Sequence, residues 1–140
     1  MKHLFVDTNV IIDFLIDRTP FSRHAADLFE LAIKNEVNIY ISSLCYNNIY
    51  YIIRKTTGHD AAIHHLNSIS SFTTTLSVDA DVVKLALSSG NSDFEDAIQY
   101  YTAKTITKID AIVTRDKTGF KSSDIPVLLP SEALKIALTK

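Results

Sequence analysis

The residues of this chain best suited to chemistry are aspartates. Asp93 and Asp96 lie at the start of the stretch SDFEDAIQYYTAKTITKIDAIVTRD, residues 92–116, and Asp116 ends it. If residues 93–107 form a helix and 110–113 a buried parallel strand, the helix start and the strand end share one rim of a sheet, where α/β proteins place their ligands. The first strand, from His3 to Val6, also finishes in an acid, Asp7 of VDTN, and an adjacent position in the sheet sets Asp7 beside Asp116. Like charges a few ångströms apart repel by about 4 kcal/mol per pair at an effective dielectric of about 20. Such a cluster either raises some of its pKa values or binds a cation. Oxygen ligands select a hard ion, Mg²⁺ or Mn²⁺, and no cluster of Cys and His competes for a softer one.

The elements that must position these acids follow from hydrophobic periodicity. Asp7, Thr8 and Asn9 are turn and N-cap residues leading into the helical run VIIDFLID, which Arg18-Thr19-Pro20 breaks. Residues 21–35 resume a helix with Ala25, Leu28, Phe29, Ala32 and Ile33 at helical spacing. Residues 37–41 read as a strand and 43–55 as a helix, with helices at 59–69 and 79–88 and a strand at 72–76. Residues 126–129 make a last edge strand before a C-terminal helix opened by Pro130-Ser131-Glu132. The expected fold class is α/β, three layers, with a mainly parallel sheet of about five strands between some seven helices.

Composition sets the frame. With 140 residues, 46% hydrophobic, and no biased tract or repeat, the chain is expected to be one domain spanning 1–140. Its apolar runs are too short to span a bilayer and its N-terminus enters a strand, so no membrane association and a cytoplasmic location are expected. The single cysteine, Cys45, permits no internal disulfide and reads as a small buried hydrophobe. A net charge of -2 excludes a uniformly basic nucleic-acid binder, yet Arg115, Lys117 and Lys121 supply a local basic rim beside the acids.

Four segments, VDTNVIIDFL, ISSLCYNNIYYIIRK, DFEDAIQYYTA and AIVTRDKTGF, occur in an order and spacing that resemble the PIN-domain nucleases, and among these the short VapC-like toxins of bacterial toxin-antitoxin pairs. The resemblance covers essentially the whole chain. It implies an α/β/α sheet, Mg²⁺ or Mn²⁺ held by acids, and hydrolysis of RNA by a metal-activated water. Carried over by position, Asp7 looks like the first metal ligand, Asp96 the third acid and Asp116 the fourth, with Asp93 an additional acid. Asn9 and Thr114 look like polar residues supporting the ligands. The charges of Arg115, Lys117 and Lys121, read apart from the resemblance, suit contacts to RNA phosphate or ordinary solubility. One position departs: the second acid, a glutamate in the family, falls at the neutral Asn48. This departure predicts weaker metal binding, partly offset by Asp93, which shares a helix face with Asp96. The resemblance also implies a homodimer and an antitoxin protein as partner.

Several residues have plainer readings. Ser92-x-x-Glu95 satisfies the capping-box pattern, which assigns Glu95 to the helix start. Asp13 and Asp17, four apart, read as a solvated face, and Tyr46, Tyr50, Tyr51, Tyr100 and Tyr101 as core or dimer packing. His59, His64 and His65 lack the partners of a metal site. Among rival functions, a phosphatase with an aspartate nucleophile wants a second Asp two residues after Asp7, where Asn9 stands. The alternative is a catalytically weakened RNA-binding or scaffolding module, supported by Asn48.

Overall fold

In the computed structural model, which describes residues 1–138, strands and helices alternate as the periodicity predicts. The order is β1 (Lys2–Val6), α1 (Thr8–Leu15), α2 (Phe21–Ile33), β2 (Val37–Ser42), α3 (Ser43–Thr57), α4 (His59–Phe72), β3 (Thr74–Leu76), α5 (Ala80–Ser88), α6 (Phe94–Lys104), β4 (Ala111–Val113), a 3₁₀ turn (Thr118–Phe120), β5 (Val127–Leu128) and α7 (Pro130–Ala137). The five strands form one sheet in the order β3-β2-β1-β4-β5. Every pairing is parallel.

The strands are short and apolar because helices cover both faces. Leu4, Val6, Ile39, Ile41, Ala111 and Val113 face one layer, packing with Ile11, Leu28, Phe29, Ile49 and Ile69. Phe5, Tyr40 and Ile112 face the other, packing with Ala103 and Phe120. The period of two along β1 thus divides Leu4 and Val6 from Phe5. Full burial of each such side chain stabilises the fold by about 1.5–3 kcal/mol before conformational entropy is counted.

Topology places the site. From β1 the chain moves to β2 and β3 on one side and then returns to β4 on the other, so the switch point lies between β1 and β4. Leu4 is in register with Ala111, Phe5 with Ile112 and Val6 with Val113. The Asp7 backbone N–H then donates to Val113 O at 2.9 Å, which closes the ladder at the point where both strands end.

Boundaries shift where local chemistry competes with periodicity. α6 stops at Lys104 and does not reach residue 107. Thr102 and Thr105 turn their hydroxyls onto the carbonyls of Ile98 and Thr102, and β-branched residues there disfavour a further turn. α1 begins at Thr8 and ends at Leu15. Asp17 beyond it has φ 50°, and Arg18 N–H closes the turn on Asp13 O at 2.9 Å. No helix among the described residues is long and apolar enough to cross a membrane.

Candidate active site

At the carboxyl ends of β1 and β4 a cavity of about 510 Å³ opens, lined by Asp7, Thr8, Asn9, Ile12, Asn48, Tyr51, Ile52, Asp93, Glu95, Asp96 and Asp116. The four aspartates singled out in the sequence are therefore brought to one cavity, together with Asn9 and Asn48. Glu95 joins them.

Each acid is held by the element that delivers it. Asp7 is the N-cap of α1, where its Oδ1 accepts from Thr8 N–H at 2.8 Å. Gln99 Nε2, on the buried face of α6, donates to the same oxygen at 3.1 Å, and Thr114 Oγ1 donates to Oδ2 at 2.9 Å. The same Nε2 also reaches Thr8 Oγ1 at 3.3 Å and Cys45 Sγ at 3.5 Å, while Gln99 Oε1 is buried without a partner among the described residues. Asn9 Nδ2 donates to Thr114 Oγ1 at 3.3 Å, while Asn9 Oδ1 accepts from Arg115 N–H at 3.3 Å. Thr114 thus supports Asp7 directly, and Asn9, which lines the cavity, splices α1 to the end of β4.

Asp93 is the N-cap of α6, its Oδ1 accepting from Asp96 N–H at 3.1 Å. The helix start thus falls one residue later than the Ser92 capping box, and the assignment of Glu95 to the cap is corrected. Glu95 instead accepts a hydrogen bond from Asn48 Nδ2 at 3.0 Å. Asp96, half-buried, lies on Gly119, where any side chain would collide with its carboxylate. Asp116 Oδ1 accepts from Thr118 N–H and Oγ1 at 3.0 and 2.6 Å.

The electrostatics follow from this crowding. Asp96 is pushed up to about 7, first by burial and then by Asp7, Asp93, Glu95 and Asp116. Burial also raises Asp7, against the lowering effect of its hydrogen bonds from Gln99, Thr114 and Thr8. Glu95 is raised by burial and by the charges of Asp7 and Asp93. Asp116 is held low by its bonds from Thr118. Among the described residues no three acidic, His or Cys groups already stand in an arrangement that closes on a metal ion; the carboxylates line the cavity wall. The donor set is nonetheless all oxygen, and no basic side chain among the described residues lines the cavity. Hard-cation chemistry fits these residues.

The basic residues fall elsewhere. Arg115 Nε donates to Asp13 Oδ2 at 2.7 Å and its guanidinium lies 4.6 Å from the Phe21 ring centroid. Arg18 also pairs with Asp13, at 3.4 Å. Asp13, read from the sequence as part of a solvated face, is 2% exposed, because two guanidinium groups neutralise it. Lys117 pairs with Glu132 at 2.8 Å. Lys121 is exposed and lines a neighbouring groove with Thr118 and Gly119. Cys45 is fully buried, bonded to Thr8 Oγ1 at 3.0 Å, and its thiol is pushed up by burial. Of the tyrosines, Tyr51 is 53% exposed at the cavity rim.

Sequence reasoning passed over Gln99 and assigned Glu95 to the wrong role. Gln99 lies three residues after Asp96, one turn along the same helix, which was a usable signal; nothing local marks Glu95 as the neighbour of Asn48.

Comparisons with known proteins agree with this geometry. A relative from Aquifex aeolicus, ribonuclease VapC1, is 29% identical over 139 residues, covering 94% of this chain and 92% of its own. Among solved structures, the Mycobacterium tuberculosis VapC20 toxin, described as cleaving the sarcin-ricin loop, superposes with a TM-score of 0.66 at 16% identity, covering 85% of this chain and 94% of that one. The DNA-bound VapBC of Salmonella typhimurium gives 0.66 at 20% identity, covering 91% and 97%. The VapBC2 of Rickettsia felis, also bound to DNA, gives 0.63 at 15%, covering 90% and 96%. With a PIN-domain family model matching residues 3–118, acids from three distant segments on one cavity, and a parallel sheet ordered 3-2-1-4-5, the chain belongs to the PIN-domain family and is VapC-like within it.

Proposed function

We propose that this protein is a metal-dependent endoribonuclease, acting in the cytoplasm as the toxin of a toxin-antitoxin pair. The observation that carries the reading is the convergence of Asp7, Asp96 and Asp116 on one cavity with Asp96 pushed up to about 7. In this reading Asp7, Asp96 and Asp116, with Asp93 beside them, would hold Mg²⁺ or Mn²⁺. Such an ion would supply an acidified water and a counter-charge for the reacting phosphate.

The chain's own residues do the rest. Gln99, Thr8 and Thr114 fix the Asp7 carboxylate so that it does not rotate away on protonation of its neighbours. Asp96, raised first by burial and then by its acidic neighbours, would lose its proton to solvent on cation binding, which offsets those neighbouring charges. Tyr51 and Ile52 make an apolar edge to the cavity against which a base can lie. Contact with RNA phosphate falls first to Lys121, exposed in the neighbouring groove, and to Lys117 on release from its surface pair with Glu132, while Arg115 is engaged by the buried Asp13. The VapBC assemblies among the structural neighbours support an antitoxin partner, and a basic side chain from it entering the acidic cavity would block the site. Pairing of two copies into a homodimer belongs to the same proposal.

The test is cleavage of a mixed RNA substrate with Mn²⁺ and with chelator, for the wild type and Asp7→Asn. Cleavage that needs Mn²⁺ and is lost in Asp7→Asn is expected. Asn48 favours the second reading, a weakened RNA-binding module; RNA binding with no cleavage at any Mn²⁺ concentration establishes it and overturns the first.

A further inference from the structure

Resting on that reading of the cavity, we infer that Glu95 on α6 supplies the carboxylate missing at Asn48 on α3, so that the second acid has moved from one wall of the site to the opposite one. Asn48 Nδ2 donates to Glu95 Oε1 at 3.0 Å across 47 residues of sequence, and both side chains line the cavity. Two side chains that touch from facing helices reach the same region of space. A carboxylate delivered from position 95 therefore occupies what a carboxylate from position 48 would fill, within one hydrogen bond.

The competing compensator, Asp93, is less free. Its Oδ1 accepts from Asp96 N–H at 3.1 Å in the α6 cap, which leaves Oδ2 for a cation but ties the carboxylate to the helix start and away from the Asn48 side of the cavity that Glu95 already touches. Glu95 has no capping duty, and its one hydrogen bond among the described residues is the one from Asn48. The pairing also explains the amide at position 48. A glutamate there would face Glu95 with a like charge at hydrogen-bond distance, whereas the asparagine donates to Glu95 and orients it. Asn48 is thus a positioning residue, and the two positions carry one negative charge between them.

Isothermal titration with Mn²⁺ in the absence of RNA tests the exchange on the wild type, Glu95→Gln, the double variant Asn48→Glu with Glu95→Gln, and Asp7→Asn. Gln at 95 keeps an oxygen for Asn48 Nδ2, and Glu95 is exposed, so the fold is retained; melting curves of the metal-free variants check this, with Glu95→Ala as a second truncation. Glu95→Gln is expected to weaken Mn²⁺ about tenfold, and the double variant to recover most of the loss. Wild-type affinity in Glu95→Gln, with binding lost in Asp7→Asn, overturns the inference and leaves the nuclease reading standing. A loss in Glu95→Gln that the double variant does not recover overturns the exchange of positions. Absence of Mn²⁺ binding by the wild type defeats both.

Discussion

Asp7 and Asp13 belong to the same helical segment, one at its N-cap and one inside it, and both are buried, at 6% and 2% exposure. Their surroundings differ in one respect. Asp13 meets the guanidinium groups of Arg115 and Arg18, at 2.7 and 3.4 Å. Asp7, among the described residues, meets only neutral donors, from Thr8, Gln99 and Thr114, while the acids of α6 face it across the cavity. An acid whose charge is balanced inside the chain holds structure together. One whose balance is left open is available to an external cation, and burial together with the neighbouring acids pushes Asp96 up to about 7.

Four outcomes break or sharpen this contrast. The largest concerns Asp7→Asn, expected to lower RNA cleavage about a thousandfold, ~4 kcal/mol in the transition state, with metal-free stability no lower than wild type. Initial rates and urea unfolding of the same preparation check the two halves, and a large loss of stability would move Asp7 into the structural class. Asp13→Asn has the opposite signature: about 3 kcal/mol of unfolding free energy lost, because Arg115 keeps its charge with no anion to meet it. Metal affinity should change little, and calorimetry decides that.

Next is pH. The Asp96 carboxyl rises from 3.8 to about 7 on folding, so between those values the folded chain retains a proton that the unfolded chain has lost. Metal-free stability should therefore fall as pH rises from about 4 to about 7 and level off above, with Asp7 and Glu95 acting in the same direction. Asp116, Asp124 and Glu132 are held low and so lose stabilisation only toward the acid end, which leaves the slope in this window to the raised group. Denaturant midpoints at several pH values, with and without Mn²⁺, measure it; Asp96→Asn should flatten the slope. The smallest effect is Lys117→Ala, which breaks a solvent-exposed ion pair with Glu132 and should leave the urea midpoint close to that of the wild type.

Much of this was open to reading from local pattern. Alternating short apolar runs and amphipathic segments gave five strands and seven α-helices in the observed order, since each period is set by the backbone within a few residues. The acids at strand and helix ends were legible for the same reason: a carboxylate that terminates an apolar strand has few packing roles. Asp13 was not. Its spacing from Asp17 matched a solvated face, and its partner Arg115 lies 102 residues away. Glu95 was misassigned because the capping pattern is local and true of many helices, whereas Asn48, which draws it aside, comes from another element.

The sequence by itself determined the elements, the parallel sheet and the aspartates that end on its rim, because periodicity and termini are properties of neighbouring residues. Only the tertiary structure decided which charges are balanced from within and which are left facing the cavity, because charge pairing acts through space between segments that the chain order keeps far apart.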